Sequence, residues 1–273
     1  MRPLHILAGY CLRAAVVAAV LAGVCSADTT PSSADAQKLS QLLERTSKQT
    51  SQFLDQFSDV KCTEQVRQEK LGNDDKVQLK EDSTYDYLVI LSNDGGNLNI
   101  AESRIPVHEA KKDRKNTSML LSNGFATLFL VFHPYYSNAF RFTLAGEEEL
   151  NGRILEKISF EHIPGMKSPA ALALRGREYP LELTGTAWIE AESGSIAKIQ
   201  AGIADTLQDV GLKALNSDIE FAPLTFKDVK EAYWFPTEAH VEVETPKQHW
   251  RNLHQFTQYK KFSVSTQEQV ATK

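Results

Sequence analysis

The residues best suited to chemistry form the run His240-Val241-Glu242-Val243-Glu244. On a β-strand, His240, Glu242 and Glu244 share one face, where imidazole and carboxylate groups are potential zinc ligands. Zinc needs three or four converging ligands, usually from more than one element, whereas alternation with valine is typical of a sheet with one face in water. We therefore predict no metal site, and a metal-dependent hydrolase is the third of three functional hypotheses.

Sequence motifs of other enzyme classes are missing. The chain has no Gly-x-Ser-x-Gly elbow that would expose a nucleophilic serine, no Gly-x-Gly-x-x-Gly turn and no phosphate-binding loop. His249 and His254 are five residues apart, which places them on opposite faces of a strand and excludes them as a ligand pair. The chain is therefore predicted to be non-catalytic and to need no cofactor.

Two arginines, Arg175 and Arg177, stand in a long connection that spans residues 164–182 and contains three prolines and two glycines. Long connections inside a compact domain are usually functional or mobile. The two guanidinium groups are therefore candidates for contact with a headgroup or an acidic partner. The alternative is that they are solvated loop residues without a specific role.

Helical periodicity is clearest near the start of the chain. Apolar residues in 36–57 recur at three- and four-residue intervals and predict one amphipathic helix, whose stripe must pack on a larger element. Residues 119–132 are the most apolar part of the chain after residue 27, and they predict a short buried helix that ends before Pro134.

Most of the remaining chain has the period-two pattern of half-buried strands. The clearest hairpin pairs residues 184–190 with 195–203 across a four-residue turn, and about nine strands are predicted in all. Joined mostly by short turns, they predict an α+β, mostly β fold, in which two or three helices cover the concave face of a strongly curved antiparallel sheet.

The first 27 residues have the pattern of a cleavable secretory signal peptide. Arg2 and Arg13 are their only formal charges, the apolar run Ala14–Val24 is too short to span a bilayer, and small residues follow up to Ala27. We therefore predict export to the periplasm. An alternative is lipid anchoring through Cys25, although Val24 fits poorly before a lipidated cysteine.

Composition limits the partners of the exported chain. Removing residues 1–27 takes away two arginines and no acidic residue, so the net charge changes from −5 to −7. This negative net charge argues against a nucleic-acid partner and provides no electrostatic attraction to anionic lipid. Cys62 is then the only cysteine, and it is interpreted as a small buried apolar residue in a chain expected to be monomeric.

Two motifs resemble the periplasmic lipoprotein-carrier superfamily, which includes the outer-membrane lipoprotein carrier and receptor and the sensors of envelope stress. The first is the hairpin from Trp188 to Ile199, with Trp-Ile-Glu before a Ser-Gly turn and Lys198 in the returning strand. The second is the aromatic strand start Tyr233-Trp234-Phe235-Pro236-Thr237. The resemblance covers residues 36–264, predicted as a single domain between flexible termini at 28–35 and 265–273.

The resemblance implies an incomplete β-barrel with an apolar interior that shelters acyl chains. The candidate cavity residues come from the predicted second helix and the strand after it: Phe125, Leu128, Phe129, Val131, Phe132, Phe140 and Phe142. The alternative is that they only fill the core.

Two non-catalytic functions remain open. The first is an exported carrier or binder of lipid or lipidated cargo in the cell envelope, with a lipid acyl chain or a lipidated protein as its partner. The second is an envelope interaction or sensor module that binds a protein partner and has no internal ligand.

Overall fold

The computed structural model describes residues 33–72, 74–94, 97–107, 128–174, 177–207, 210–227 and 232–261. These ranges contain the helix α1 (Ser33–Ser58) and two 3-10 turns, Leu130–Phe132 and Ser137–Ala139. They also contain twelve strands: β1 (Val60–Leu71), β2 (Val77–Asp94), β3 (Asn97–Pro106), β4 (Phe140–Leu150), β5 (Arg153–His162), β6 (Ala171–Leu174), β7 (Arg177–Pro180), β8 (Leu183–Ile189), β9 (Ile196–Ile203), β10 (Ala214–Leu224), β11 (Tyr233–Glu244) and β12 (His249–Lys261). The predicted signal peptide lies outside the described residues.

Ten of these strands form one antiparallel sheet, in the order β3-β2-β1-β12-β11-β10-β9-β8-β5-β4. Most neighbours in the sheet are also neighbours in sequence, and the long-range pairing of β1 with β12 joins the two halves of the chain. Within the described residues the sheet does not close on itself, so β3 and β4 are the two edges of the described sheet. The mostly β, antiparallel fold predicted from the sequence is confirmed.

Helix α1 lies on one face of this sheet because its apolar residues form a single stripe. Its buried side chains are spaced three or four residues apart along most of its length and comprise Leu42, Thr46, Thr50, Phe53, Leu54 and Phe57. The ring of Phe57 lies 6.3 Å from that of Tyr87 in β2 and 5.3 Å from that of Phe235 in β11. One side chain thus contacts strands that are three positions apart in the sheet.

Strand pairing in the sheet is irregular. Among the described strand pairs, the register shifts in five places, for example between Leu144 and Glu147 in β4 and between Glu220 and Phe221 in β10. A β-bulge bends its strand and increases the local twist. The core lies on the face of the sheet that α1 covers, which we call the inner face.

The predicted number of helices, two or three, is wrong for the described residues, which contain one complete α-helix. Most of the predicted second helix lies outside them, and only Leu128 and Phe129 are helical where the described chain resumes. The next three residues tighten into a 3-10 turn, and His133 is already extended, with φ −70° and ψ 141°. Pro134 explains this stop, since the residue before a proline is disfavoured in the helical conformation.

The connection at 164–182 also differs from the prediction of an irregular loop. Strands β6 and β7 form a separate two-stranded hairpin in which Leu172 pairs with Tyr179. Leu172 packs on the core, and Leu181 after the hairpin is buried. Among the described helices, none is long and apolar enough to cross a membrane.

The turn between β8 and β9 ties the sheet to α1 at Gly194. This residue has φ +76°, and a Cβ there would lie 2.6 Å from the carbonyl carbon of Arg45 and 2.7 Å from the amide nitrogen of Thr46. Real side chains do not tolerate such distances from backbone atoms. The hairpin therefore touches the backbone of α1 directly.

We expect Gly194→Ala to lower the free energy of unfolding by more than Gly152→Ala, measured by urea denaturation. Gly152 is the matched control, because it has the same φ of +76° but nothing within 4 Å of the position that a Cβ would take. Left-handed backbone strain costs each variant about 1–2 kcal/mol. The decrease in the free energy of unfolding that Gly194→Ala shows beyond Gly152→Ala measures the contact with α1. Equal decreases in the two variants would contradict that contact.

Candidate functional site

A cleft lies between α1 and the edge strand β4, and we call it the α1–β4 cleft. Its volume is about 480 Å³, within the usual range for ligand pockets. It is lined by Ser40, Leu43, Glu44 and Ser47 of α1, by Phe132, Ser137 and Asn138 of the 3-10 turns, and by Phe140 and Phe142 of β4. One wall is thus aromatic, and the helix wall carries small polar residues.

The aromatic wall is a connected group of rings. The ring centroid of Phe142 lies 5.3 Å from that of Phe132 and 6.2 Å from that of Phe140. Phe160 in β5 lies behind them, 5.9 Å from Phe132 and 6.0 Å from Phe140 in edge-on contacts. Phe132, Phe140 and Phe160 are buried, whereas Phe142 is only half-buried. Phe142 is therefore the ring at which the core opens to the cleft.

An ion-pair group near the N-terminal end of α1 holds the helix against β4 and β5. Lys38 Nζ lies 2.6 Å from Glu156 Oε1 in β5 and 3.1 Å from Glu147 Oε1 in β4. Hydrogen bonds to Glu156 and then to Glu147 raise the pKa of Lys38. This group ties the helix wall of the cleft to the strand wall.

Six of the seven predicted cavity residues fall within the described chain, and they divide into two groups. Phe132, Phe140 and Phe142 come together in the α1–β4 cleft. Leu128, Phe129 and Val131 are buried and do not line this cleft, and Phe129 borders a second cleft beside α1. Their positions are consistent with the alternative that they fill the core.

Of the remaining predicted site residues, only Arg177 falls within the described chain. Phe125 and Arg175 lie outside the described residues. Arg177 is exposed at the start of β7 and does not line the α1–β4 cleft.

A buried histidine lies next to the aromatic wall. His162 pairs with Phe140 across the β4–β5 ladder, with the rings edge-on at 5.2 Å. It is 4% exposed, and among the described residues neither ring nitrogen has a hydrogen-bond partner. Buried polar groups without partners are rare and call for a water or ligand. The sequence offered a weak signal for it, since His162 continues the alternation of Ile158 and Phe160.

A buried ion cluster, also missed from the sequence, joins three strands. Glu64 of β1 is fully buried and accepts hydrogen bonds from Arg104 Nε at 2.5 Å and Nη2 at 2.8 Å. Its Oε1 also lies 2.8 Å from His254 Nδ1 in β12. The sequence did carry a signal for it. Glu64 alternates with Val60, Cys62 and Val66 on the apolar face of the predicted strand.

The electrostatics of this region favour a charged cluster and an inert thiol. Burial opposes ionisation of Glu64, but the hydrogen bonds from His254 and Arg104 outweigh it, so the pKa of Glu64 is lowered. Burial raises the pKa of Cys62 to about 12. A protonated, buried thiol is a poor nucleophile, so Cys62 is a packing residue as predicted.

The histidine run on β11 shows no ligand geometry. His240 Nε2 is paired with Glu238 Oε1 at 2.6 Å on the exposed face of the strand. Within the described ranges, no group of three or more His, Cys, Asp or Glu side chains is placed to hold a metal ion. The described residues thus give no evidence for a catalytic centre.

Comparisons with known proteins give likeness of fold alone. No family model matches the chain, and no curated protein matches it. A crystal structure of a domain described as an outer membrane lipoprotein-sorting protein, from Vibrio parahaemolyticus, is similar at 10% identity and a TM-score of 0.44, over 83% of this chain and 94% of that one. A DUF1329 family protein from Desulfovibrio piger is similar at 8% identity and a TM-score of 0.43, over 82% and 95%.

We expect Glu64→Gln to lower the free energy of unfolding at neutral pH by about 1–3 kcal/mol, since the largely buried Arg104 loses one of its carboxylate partners and keeps Glu102. The folded-state pKa of Glu64 lies below its ordinary value. Its stabilisation is therefore present above the ordinary glutamate pKa and is lost as the pH falls towards the folded-state pKa. Urea denaturation at several pH values should show this loss in the wild type and not in the variant.

The matched control is Glu161→Gln, which breaks an ion pair with Arg141 at 3.8 Å, where both side chains are more than half exposed. Exposed pairs contribute about 0–1 kcal/mol. If both variants lowered the free energy of unfolding by a similar amount, the cluster around Glu64 would not stabilise the sheet.

Proposed function

We propose that the chain is an exported, non-catalytic binder or carrier of lipid or lipidated cargo in the cell envelope. The observation that supports this function is the α1–β4 cleft, where phenylalanine rings face an open space at the edge of the sheet. An acyl chain is the ligand that such a wall favours. Moving each CH₂ group of the chain from water into an apolar cleft stabilises the complex by about 0.8 kcal/mol.

The shape of the cleft supports a carrier that releases its ligand. The cleft lies at a sheet edge with α1 as one wall, so ligand can enter without unfolding the core. The lysine of the Lys38 group is 43% exposed, and partly exposed ion pairs are weak. The ion pair of Lys38 with the exposed Glu147 therefore adds little to holding the two walls of the cleft together.

The cleft also offers polar contacts for the end of an acyl ligand. Ser137 and Asn138 line it beside the phenylalanine rings. Their hydroxyl and amide groups supply hydrogen-bonding atoms for the carboxyl or ester group of a lipid. This favours a fatty acid or acyl ester over a plain hydrocarbon.

The cellular setting in this proposal follows from the sequence. The signal-peptide pattern of residues 1–27 supports export, with the lipid anchor at Cys25 as an alternative. Arg175 and Arg177 stay candidates for contact with a headgroup or a protein partner. The chain acts as a monomer in this proposal. Its negative net charge argues against a nucleic-acid partner.

A second function, an envelope interaction or sensor module without an internal ligand, is favoured by the packing beneath α1. The ring of Phe53 stacks on that of Phe129 at 4.4 Å, and Phe129 makes an edge-on contact with Phe221 at 4.4 Å. These rings occupy the space between helix and sheet. If the core is complete there, only the α1–β4 cleft remains for an acyl chain.

We expect Phe142→Gln to weaken the binding of a dansyl-labelled fatty acid about ten-fold, because a polar amide replaces the half-buried ring of the cleft. Fluorescence titration of the purified protein measures this affinity. Ile154→Gln is the matched control, since Ile154 is 70% exposed on the neighbouring strand β5 and does not line the cleft. It should bind as the wild type does.

Native mass spectrometry of the protein purified from its own cell envelope distinguishes the two functions. A co-purifying lipid that exchanges with added fatty acid supports the carrier. A clean unliganded mass, together with no fatty-acid binding by the wild type, would overturn it in favour of the interaction module.

A further inference from the structure

A second cleft lies on the other side of α1, and we call it the glutamine cleft. Its volume is about 220 Å³, and it is more enclosed than the α1–β4 cleft. Polar residues of α1 and of the β8–β9 turn line most of it: Gln49, Thr50, Gln52, Gln56, Ser193 and Ser195. No ionisable acid or base is among its lining residues within the described chain, apart from the phenol of Tyr233.

The three glutamines give the cleft a surface that both donates and accepts hydrogen bonds. They belong to one face of α1, because positions 49, 52 and 56 are three and four residues apart. Each amide carries two N–H donors and one carbonyl acceptor. Such a surface suits a ligand whose groups also do both, which is the property of hydroxyl groups.

Thr50 gives independent evidence for a ligand. It lines the cleft, is 2% exposed, and its hydroxyl has no hydrogen-bond partner among the described residues. Its helix neighbour Thr46, by contrast, donates to the carbonyl of Leu42 at 2.9 Å. A buried hydroxyl without a partner costs free energy unless something in the site binds it.

The serines of the turn are held in a fixed arrangement. Ser193 Oγ lies 2.5 Å from Glu190 Oε2 and 2.9 Å from Ser195 Oγ. A carboxylate only accepts, so Ser193 donates to Glu190 and Ser195 then donates to Ser193. This order leaves the lone pairs of Ser195 available to a hydroxyl donor in the cleft. The rest of the wall includes Tyr233 and Trp234, aromatic residues that offer apolar surface.

From these observations we propose that the glutamine cleft binds an uncharged sugar ring. The lining matches a ring with several hydroxyl groups on its edge and apolar C–H groups on its faces. The volume is below the 300–1,000 Å³ of pockets for drug-sized ligands, so a single ring is the expected occupant. The site is separate from the α1–β4 cleft and does not depend on acyl-chain binding.

The test is saturation-transfer NMR of the purified protein with methyl glucoside, methyl galactoside and N-acetylglucosamine as probes. At least one should bind, and charged glucuronate should bind more weakly. Thr50→Val should weaken binding roughly five-fold, the value of one hydrogen bond, without lowering the melting temperature. Gln52→Ala should also weaken binding, whereas Gln41→Ala, an exposed glutamine of α1 outside the cleft, should not.

Three results would overturn the proposal. One is the absence of saturation transfer to every neutral sugar at millimolar concentration. Another is wild-type sugar affinity in Thr50→Val together with a lower melting temperature, which would make Thr50 a purely structural residue. The third is that no sugar binds, while a tripeptide without net charge, such as trialanine, binds to the wild type and not to Gln52→Ala. Phe142→Gln should leave sugar binding unchanged, so failure of the carrier function is recognised separately.

Discussion

The structure depends on the packing of one amphipathic helix against the inner face of an open sheet. In the part of the chain that the structure describes, the sheet is ten strands wide and no hydrogen bonds join its two edges. Its inner face is apolar and would be exposed without α1, whose Phe53, Leu54 and Phe57 enter the core. Buried aromatic side chains dominate the energetics of such cores. The direction of α1 therefore decides which parts of the inner face are covered and which border a cleft.

The polar residues inside the sheet set a second constraint. Glu64 is fully buried, and Arg104 and His254 come from strands on opposite sides of β1. A buried carboxylate is tolerated only with such partners, so β3 and β12 must keep their register for the cluster to form. The cluster thus links the edge strand β3 to the centre of the sheet.

Local sequence patterns were sufficient for the elements but not for their partners. The hairpin of β8 and β9 and the helix α1 were predictable because each depends on residues close together in sequence. Glu64 and His254 are 190 residues apart, and no periodicity indicates that β1 pairs with β12. The α1–β4 cleft was half predictable: Phe132 in the apolar run and Phe140 and Phe142 in the strand after it stood out, but the position of α1 beside them did not. The glutamine cleft was not predicted, because its walls, α1 and the turn after β8, are more than 130 residues apart in sequence.

The two clefts follow from the geometry of a single helix. At 100° per residue, positions 40, 43, 44 and 47 lie on one side of α1, and positions 49, 52 and 56 lie on nearly the opposite side. The buried stripe runs between them, so each flank of the helix forms a wall with the nearest part of the sheet. On one flank that part is the phenylalanine edge of β4, and on the other it is the serine turn after β8. The two clefts therefore share α1 as a wall but have no lining residue in common, and Gly194, which touches the helix backbone, borders only the glutamine cleft.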